Sequence, residues 1–425
     1  MEQGQNRTQE LFDFIENSPT AYQAVEELER RFEKAGYECL KETEHWEIRR
    51  GGRYYVVRND SSLLAFAIPA KEIQGFHIVA SHSDSPTFKI KEDAEMKVED
   101  AYVRLNTEKY GGMILNTWMD RPLSIAGRVA AQIDGKVVSR NVTVDQDLLV
   151  IPNLAIHMNR DANKGVELNP QQDMLPLFSG AGTDTSLTEI VAKACGLEPE
   201  QILAHDLFLY VRQSGRIAGA KGEFILSPRL DDLQCVFASA TAMMSCDAGD
   251  HINMCAVFDN EEVGSSTRQG ADSTFLEDVL VRIREGLGQS EEWLRRLIAD
   301  SFLISADNAH ALHPNQVSKA DPVNRPVLNG GVVLKYHGNQ KYTTDALSAA
   351  MLKVLAKRAE VPLQVYTNRS DIAGGSTLGN ISMRHISIPS ADIGLPQLAM
   401  HSAVETAGAR DTEYLIRLLQ EFYSA

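Results

Sequence analysis

The 425-residue sequence has no long uninterrupted apolar run. None of its apolar runs approaches the roughly 18 residues that a membrane-spanning helix needs. Basic residues are also in deficit, with 42 Lys and Arg against 58 Asp and Glu and a formal net charge of −16. Nucleic acids and anionic membranes bind to basic surfaces, so neither is expected as a partner. The N-terminus lacks a basic segment followed by an apolar core, which predicts a cytoplasmic protein.

Cysteine is scarce, and its positions show no pairing motif. The five cysteines are Cys39, Cys195, Cys235, Cys246 and Cys255. None of them has CxxC spacing, which argues against a zinc site built from thiolates. Their scattered, mostly apolar surroundings are typical of free thiols in a reducing compartment.

What the chain does contain is an alternation of strand-like apolar runs and amphipathic helix-like segments. A chain of 425 residues exceeds one typical hydrophobic core, so two domains are expected. The alternation over 1–94 and 218–425 predicts one discontinuous α/β domain. The short strand-like runs over 95–217 predict an inserted β-rich domain. Within the α/β part, helical periodicity predicts helices over Tyr342–Arg358 and Thr412–Tyr423.

Charged side chains follow several of the predicted strands at the point where each strand ends. His82 and Asp84 follow the run FHIVAS, Glu261 and Glu262 follow NMCAVF, and Asp307 follows SFLISA. The carboxyl ends of parallel strands meet at one edge of a sheet, so these side chains are expected to converge there. For the DNEE segment alone, a solvated acidic turn is the alternative interpretation.

Two further residues, Asp231 and His401, lie just beyond other predicted elements. Two imidazoles and several carboxylates, without a thiolate, suit a pair of zinc or similar ions. A two-metal centre needs a bridging carboxylate, terminal ligands, and a metal-free carboxylate that takes a proton from water. The residues present satisfy this requirement, although histidines and aspartates at strand ends also serve as caps or core hydrogen-bonding groups.

The segments around these residues resemble the M18 aminopeptidases, the aspartyl aminopeptidase family of co-catalytic zinc exopeptidases, almost from end to end. The motifs that carry the resemblance are FDFIENSPTAYQAV, GGRYYVVRN, VASHSDSPTFKIK, TWMDRPLSIAGRV, IPNLAIHMNR, FILSPRLDDLQC, DNEEVGSSTRQGA, SADNAHALHPN and GLPQLAMHS. The resemblance implies a zinc-exopeptidase α/β/α sandwich with a mixed, mostly parallel sheet. It further implies that the inserted domain serves as a dimerisation or lid domain.

The resemblance also implies two zinc ions per subunit, for which cobalt or manganese can substitute. Its metal ligands here are His82, Asp231, Glu262, Asp307 and His401. Asp231 bridges the two ions in this scheme. His82 and Asp307 complete the first site, and Glu262 and His401 complete the second.

The remaining roles also come from the resemblance. Glu261 is the general base, and Asp84 orients a metal-binding histidine from behind. His157 reaches the active site of a neighbouring subunit, with a plain core histidine as the alternative. Lys335 and Tyr342 match positions near the substrate, where an isolated lysine and tyrosine would otherwise be assigned to surface and core.

The function implied is a metallo-aminopeptidase that removes the N-terminal residue from peptides, with a preference for Asp or Glu. An ammonium such as that of Lys335 in a partly desolvated pocket favours a carboxylate. The implied assembly is a homo-oligomer of dimers that form a dodecamer. One alternative is an N-acyl hydrolase or deacetylase on the same metal core, and another is an inactive metal-binding scaffold. The unligated Glu261 argues against the scaffold, which has no need of a base.

Overall fold

The structure is a computed structural model, and it describes residues 2–375, 377–382 and 384–425. The α-helices of these residues are α1 (Glu2–Glu16), α2 (Ala21–Lys34), α3 (Leu187–Cys195), α4 (Leu230–Met244), α5 (Phe275–Gly286), α6 (Glu291–Ala299), α7 (Ala346–Arg358), α8 (Leu378–Ser382) and α9 (Asp411–Ser424). None of these helices is both long and apolar enough to cross a bilayer.

The β-strands of the described residues form three sheets. They are β1 (Glu38–Leu40), β2 (Arg53–Arg58), β3 (Ser62–Ala67), β4 (Gly75–His82), β5 (Thr87–Val98), β6 (Tyr102–Tyr110), β7 (Leu123–Ile133), β8 (Lys136–Thr143), β9 (Leu177–Gly180), β10 (Ile202–Val211), β11 (Arg216–Ala218), β12 (Phe224–Ser227), β13 (His251–Phe258), β14 (Phe302–Ala306), β15 (Ala309–His310), β16 (Val332–Tyr336), β17 (Leu363–Thr367), β18 (Ser390–Gly394), β19 (Pro396–Leu398) and β20 (Glu405–Gly408).

The chain forms two compact units. The first contains Met1–Asp84, Gly215–Met400 and Glu405–Ala425, and the second contains Ser85–Ser214 and His401–Val404. The second unit is built on a six-stranded sheet of order β8-β7-β10-β5-β6-β9, which packs with α3 over its own hydrophobic core. Its neighbouring strands are antiparallel, as expected for an inserted segment of short hairpin-like runs.

The first unit is organised around a nine-stranded sheet of order β1-β2-β3-β13-β4-β14-β18-β16-β17 among the described residues. Its pairings are parallel except for β2–β3, β3–β13 and β16–β18. A second, five-stranded sheet in the same unit has the order β11-β12-β20-β19-β15. The α/β class with a mixed, mostly parallel main sheet is therefore confirmed.

Both faces of the main sheet are buried, which explains why its central strands read as continuous apolar runs. Along β4, Val79 belongs to the core beneath one face, while Ile78 and Ala80 belong to the core on the other. The first core includes residues of α1, α2, α4, α7 and α9, and the second includes residues of α5 and α6. The first unit is thus a sandwich of helices, sheet and helices.

The strand predicted from the NMCAVF run is confirmed as β13, and the helix predicted over Thr412–Tyr423 is confirmed as α9. The helix predicted over Tyr342–Arg358 begins later, at Ala346. Asp345 caps it by accepting a hydrogen bond from the Ser348 backbone. Thr343 instead donates its backbone N–H and its hydroxyl to Asp392, so this segment cannot join the helix.

Candidate active site

Three neighbouring parallel strands deliver site residues to the same edge of the main sheet. β4 ends at His82, which lies opposite Phe258, the last residue of β13. Glu261 and Glu262 follow β13 in a short 3₁₀ turn, and Asp307 follows β14. The strands place these side chains together because β4 is paired in parallel with both β13 and β14.

Asp231 enters the same place from the start of α4. Its φ of −83° and ψ of 110° are not helical, and the Asp231–Asp232 peptide bond is cis. The side chain is almost fully buried, with 3% of the residue exposed. Donor atoms of His82, Asp231 and Asp307 all lie within 4.8 Å of one another, and so do donor atoms of His82, Glu261 and Glu262.

The hydrogen bond of His82 determines which ring nitrogen faces the cluster. Its Nδ1 lies 3.0 Å from the backbone carbonyl oxygen of Asp84, which can only accept, so Nδ1 carries the proton. In the neutral ring the lone pair is then on Nε2. That atom is 3.7 Å from Oδ1 of Asp231 and 4.0 Å from Oδ1 of Asp307. In its neutral form the imidazole would therefore present a lone pair between two carboxylates.

Asp84 holds the turn that carries the two glutamates. Its Oδ1 accepts from the backbone N–H of Glu261 at 3.1 Å, and its Oδ2 accepts from that of Glu262 at 3.2 Å. Its Oδ1 is also 3.3 Å from Nδ1 of His82. Asp84 is 4% exposed, so these contacts form in a low-dielectric environment where they are strong.

Negative charge is concentrated in this cluster. Burial raises the pKa of Glu261 to about 8, with Asp307 and Glu262 adding to the effect and His82 opposing it. Burial likewise raises the pKa of Asp307, and Asp231 adds to this while Lys335 opposes it. Burial disfavours the protonated imidazole of His82, but the surrounding carboxylates outweigh burial and raise its pKa well above the usual value.

The raised pKa values bear on whether a metal ion suits these residues. They show that burial, together with the neighbouring carboxylates, disfavours the ionised form of Glu261 and Asp307. A divalent cation among the carboxylates would offset both effects and favour the ionised form. Carboxylate oxygens and one neutral imidazole, without thiolate, form a donor set that zinc accepts. The residues present therefore fit a zinc ion.

Lys335 is a neighbour of the cluster and is buried, with 1% of the residue exposed. Its ammonium is 3.6 Å from Oδ2 of Asp307 and donates to the backbone carbonyl of Asn308 at 3.0 Å. Burial disfavours its charge, but Asp307, Tyr342 and Asp392 together outweigh burial and raise the pKa. Tyr342, which is 6% exposed, places its ring centroid 5.4 Å from the same ammonium.

His401 and His157 both lie in the second unit. Nδ1 of His401 is 3.0 Å from the backbone carbonyl of Gly112, so Nδ1 carries the proton and Nε2 of the neutral ring carries the lone pair. His157 lies in an exposed turn and is not a core histidine. Exposed apolar side chains flank it, with Ile156 46% and Met158 75% exposed.

Sequence reasoning missed three buried polar residues that hold the site residues in place. Oδ2 of Asp232 accepts from the backbone N–H of His82 at 3.2 Å, and Oε2 of Glu405 accepts from that of Asp231 at 3.0 Å. Asn308 accepts from Lys335, as described above. The adjacent acids of the RLDD motif were a signal for Asp232. No sequence motif indicates the contacts of Glu405 and Asn308, which join residues distant in the chain.

Comparison with known proteins gives consistent matches over nearly the whole chain. The family model described as "Aminopeptidase I zinc metalloprotease (M18)" matches residues 14–423. A protein of Clostridium novyi (strain NT) named "Probable M18 family aminopeptidase 2" is 45% identical over 423 residues, which cover 98% of each chain.

Solved structures show the same similarity. A chain in a structure described as "Cryo-EM structure of the Ape4 and Nbr1 complex" has a TM-score of 0.96 and 36% identity, covering 99% of this chain and 86% of that one. A chain in a structure of the S. cerevisiae mApe1 dodecamer has a TM-score of 0.86 and 27% identity, covering 98% of this chain and 96% of that one.

Proposed function

The chain belongs to the M18 family of zinc aminopeptidases, and we propose that it removes N-terminal residues from peptides with two zinc ions per subunit. The observation that carries this proposal is the convergence of His82, Asp231 and Asp307, whose donor atoms lie within 4.8 Å of one another. His82, Asp231 and Asp307 would hold the first ion. By the family resemblance, Glu262 and His401 join the shared Asp231 at the second, and cobalt or manganese can replace zinc.

Zinc, when bound, polarises the scissile carbonyl and makes water more acidic. The chain supplies the proton transfers. Glu261 takes a proton from the attacking water and returns it to the amine that leaves. Burial raises the pKa of Glu261, and this favours the carboxylate as a base near neutral pH once added positive charge offsets part of the shift. Asp84 fixes the base by holding its backbone N–H.

The position of the two glutamates supports an aminopeptidase over a deacylase. Glu261 and Glu262 are partly exposed, so an incoming substrate can reach their carboxyl groups. A free α-ammonium can donate hydrogen bonds to carboxylates, whereas an N-acylated substrate lacks this cationic donor. A cavity of about 340 Å³ in the first unit, lined by His310, Tyr366, Gln397 and other residues, is the proposed peptide cleft.

The finer proposal is a preference for Asp or Glu at the substrate N-terminus. It is supported by the positive charge of Lys335, which is buried and which Tyr342 packs against. A buried ammonium attracts a substrate carboxylate more strongly than an exposed one. The contacts of Lys335 with Asp307 and Asn308 give it a second role, and the two roles predict different effects when it is removed.

The proposed assembly is a dodecamer built from dimers, and its support is that the similar S. cerevisiae mApe1 forms a dodecamer. The second unit would serve as its dimerisation or lid domain, and the exposed His157 would reach a neighbouring active site. The free cysteines support a reducing cytoplasm as the location.

The experiment that tests the function is hydrolysis of a panel of aminoacyl-arylamides, with N-acetylated forms of the same compounds as controls. We expect cleavage of the free-amine compounds, loss of activity on metal chelation, and recovery on adding zinc. Hydrolysis of only the N-acetylated compounds would replace the proposal with a deacylase. Zinc binding without hydrolysis of any compound would leave a metal-binding scaffold.

A further inference from the structure

The backbone of Asp231, a proposed zinc ligand, is held by a buried carboxylate that is not itself among the proposed ligands. Oε2 of Glu405 accepts the N–H of Asp231 at 3.0 Å, and the two residues are 2% and 3% exposed. Glu405 opens β20, where it pairs with Ser227, the last residue of β12. Since β12 leads into Asp231, the pairing fixes Glu405 beside the chain segment that it holds.

The other oxygen of Glu405 begins a line of hydrogen bonds. Its Oε1 accepts from Nε2 of Gln397 at 3.4 Å, and Oε1 of Gln397 accepts from Nδ2 of Asn308 at 2.9 Å. Gln397 and Asn308 are 1% and 3% exposed. Asn308 follows Asp307 directly in the chain, and its Nδ2 also donates to the backbone carbonyl of Leu230 at 3.0 Å. These contacts link the chain segments that carry the two aspartates of the first proposed metal set.

We propose that Glu405 is a positioning residue of the zinc centre, which acts through Asp231 and, by way of Gln397 and Asn308, sets the separation of Asp231 from Asp307. The inference rests on the proposed function, because it needs zinc to be the ligand of these aspartates. A carboxylate that would serve as a zinc ligand must be placed accurately, and its position depends on the backbone that carries it. A charged acceptor holds that N–H about twice as strongly as a neutral one.

The donors and acceptors of this line give a sharp test. In Glu405→Gln, the amide oxygen of the new side chain can face the backbone N–H of Asp231. Its NH₂ then faces the NH₂ of Gln397, so two donors meet. Reversing the amide sets its NH₂ against the N–H of Asp231 instead. Reversing the Gln397 amide moves the conflict to the NH₂ of Asn308. Every arrangement loses one hydrogen bond of the line and leaves a buried donor without its acceptor, which is costly.

A second substitution repairs this conflict without restoring the original residue. In the double variant Glu405→Gln/Gln397→Glu, the amide at 405 donates to one oxygen of the carboxylate at 397. Asn308 donates to the other oxygen, and the amide oxygen at 405 accepts from Asp231. Every donor of the line again has an acceptor, and the total charge is that of the wild type.

Asp411→Asn is the matched control. Asp411 is fully buried and also accepts backbone N–H groups, from Asn329 at 2.7 Å and Gly331 at 3.0 Å. Its substitution therefore damages the same kind of contact. Neither of these donors is a candidate metal ligand, so a purely structural effect should be similar in the two single variants.

Zinc affinity is measured for the full-length proteins by competition with a chromophoric chelator, zinc content by elemental analysis, and metal-free stability by melting temperature. We expect Glu405→Gln to weaken zinc binding by roughly 10- to 100-fold, the usual effect of losing a partner behind a ligand. The double variant should regain most of this loss. Asp411→Asn should lower the melting temperature and leave zinc affinity at the wild-type value.

The inference is overturned if Glu405→Gln binds zinc like the wild type, if Asp411→Asn weakens zinc binding equally, or if the double variant recovers none of the loss. If Glu405→Gln does not fold, Gln397→Met is measured instead, because it removes the hydrogen bond to Glu405 but keeps the Glu405 carboxylate. Unchanged zinc affinity of Gln397→Met would then refute the inference. Wild-type protein that binds no zinc would refute the proposed function itself, which is a separate result.

Discussion

Replacing Lys335 with methionine removes a buried charge but keeps a side chain of similar length. The ammonium lies 3.6 Å from Oδ2 of Asp307. At an effective dielectric constant of about 20, two unit charges at this separation attract by about 5 kcal/mol. Loss of one partner of a buried pair typically costs about 3–5 kcal/mol, because the other charge stays buried without compensation. We therefore expect the metal-free protein to lose about 3–5 kcal/mol of unfolding free energy.

Zinc changes this expectation, since a bound cation beside Asp307 also compensates its charge. In the zinc-loaded variant the remaining loss is the hydrogen bond to the Asn308 carbonyl, about 1–3 kcal/mol for a charged donor. The unfolding free energy should be measured by urea denaturation in chelator and in excess zinc. Lys341→Met is the matched control, since the Lys341 ammonium also donates to a backbone carbonyl, that of Gly374.

Equal destabilisation of Lys335→Met in chelator and in zinc would refute this reasoning, because zinc would then not neutralise Asp307. The same variant separates the two roles of Lys335. If the lysine recognises an acidic substrate side chain, kcat/KM should fall for Asp-arylamide and stay unchanged for Leu-arylamide. If it only supports Asp307, both values should fall by the same factor.

Two further predictions concern a distant histidine and the residue behind the base. Burial, aided by the neighbouring His251, lowers the pKa of His77 to about 3. Below pH 6.5 the unfolded chain therefore takes up a proton that the native protein does not, and native stability falls as pH falls, by about 2 kcal/mol between pH 6.5 and 5. His77→Phe should lose this contribution, and a variant with the wild-type pH dependence of unfolding would contradict the assignment. In Asp84→Asn the side-chain oxygen can accept from only one of the Glu261 and Glu262 N–H groups, and the new NH₂ faces the other N–H group. We therefore expect kcat to fall by roughly 10- to 100-fold with zinc still bound. An unchanged kcat would show that Asp84 is not needed to hold the turn.

The sequence predicted the central strands well because burial on both faces makes them continuous apolar runs. The polar residue that ends each run, such as His82 or Asp307, was visible for the same reason. Convergence of these residues followed from parallel pairing alone. The start of α7 was placed too early, because apolar periodicity cannot show that Thr343 is hydrogen-bonded to Asp392.

The supporting contacts could not be predicted, since they join residues distant in the chain. Glu405 holds Asp231 only because β20 pairs with β12, and a single glutamate in a short strand gives no signal of this. The surroundings of Lys335 were also hidden. The sequence indicates a lysine near the substrate, but not that its ammonium faces Asp307 and the Asn308 carbonyl.

The most direct test of the central claim is the zinc content and turnover of two variants at adjacent positions. Glu261 is the proposed base and Glu262 a proposed ligand. Glu261→Gln should retain two zinc ions per subunit while kcat falls by roughly 10²- to 10⁴-fold, the usual contribution of a general base. Glu262→Gln should bind the second ion weakly and regain part of its activity at high zinc. Loss of a zinc ion from Glu261→Gln, or two firmly bound ions in a slow Glu262→Gln, would contradict the assignment.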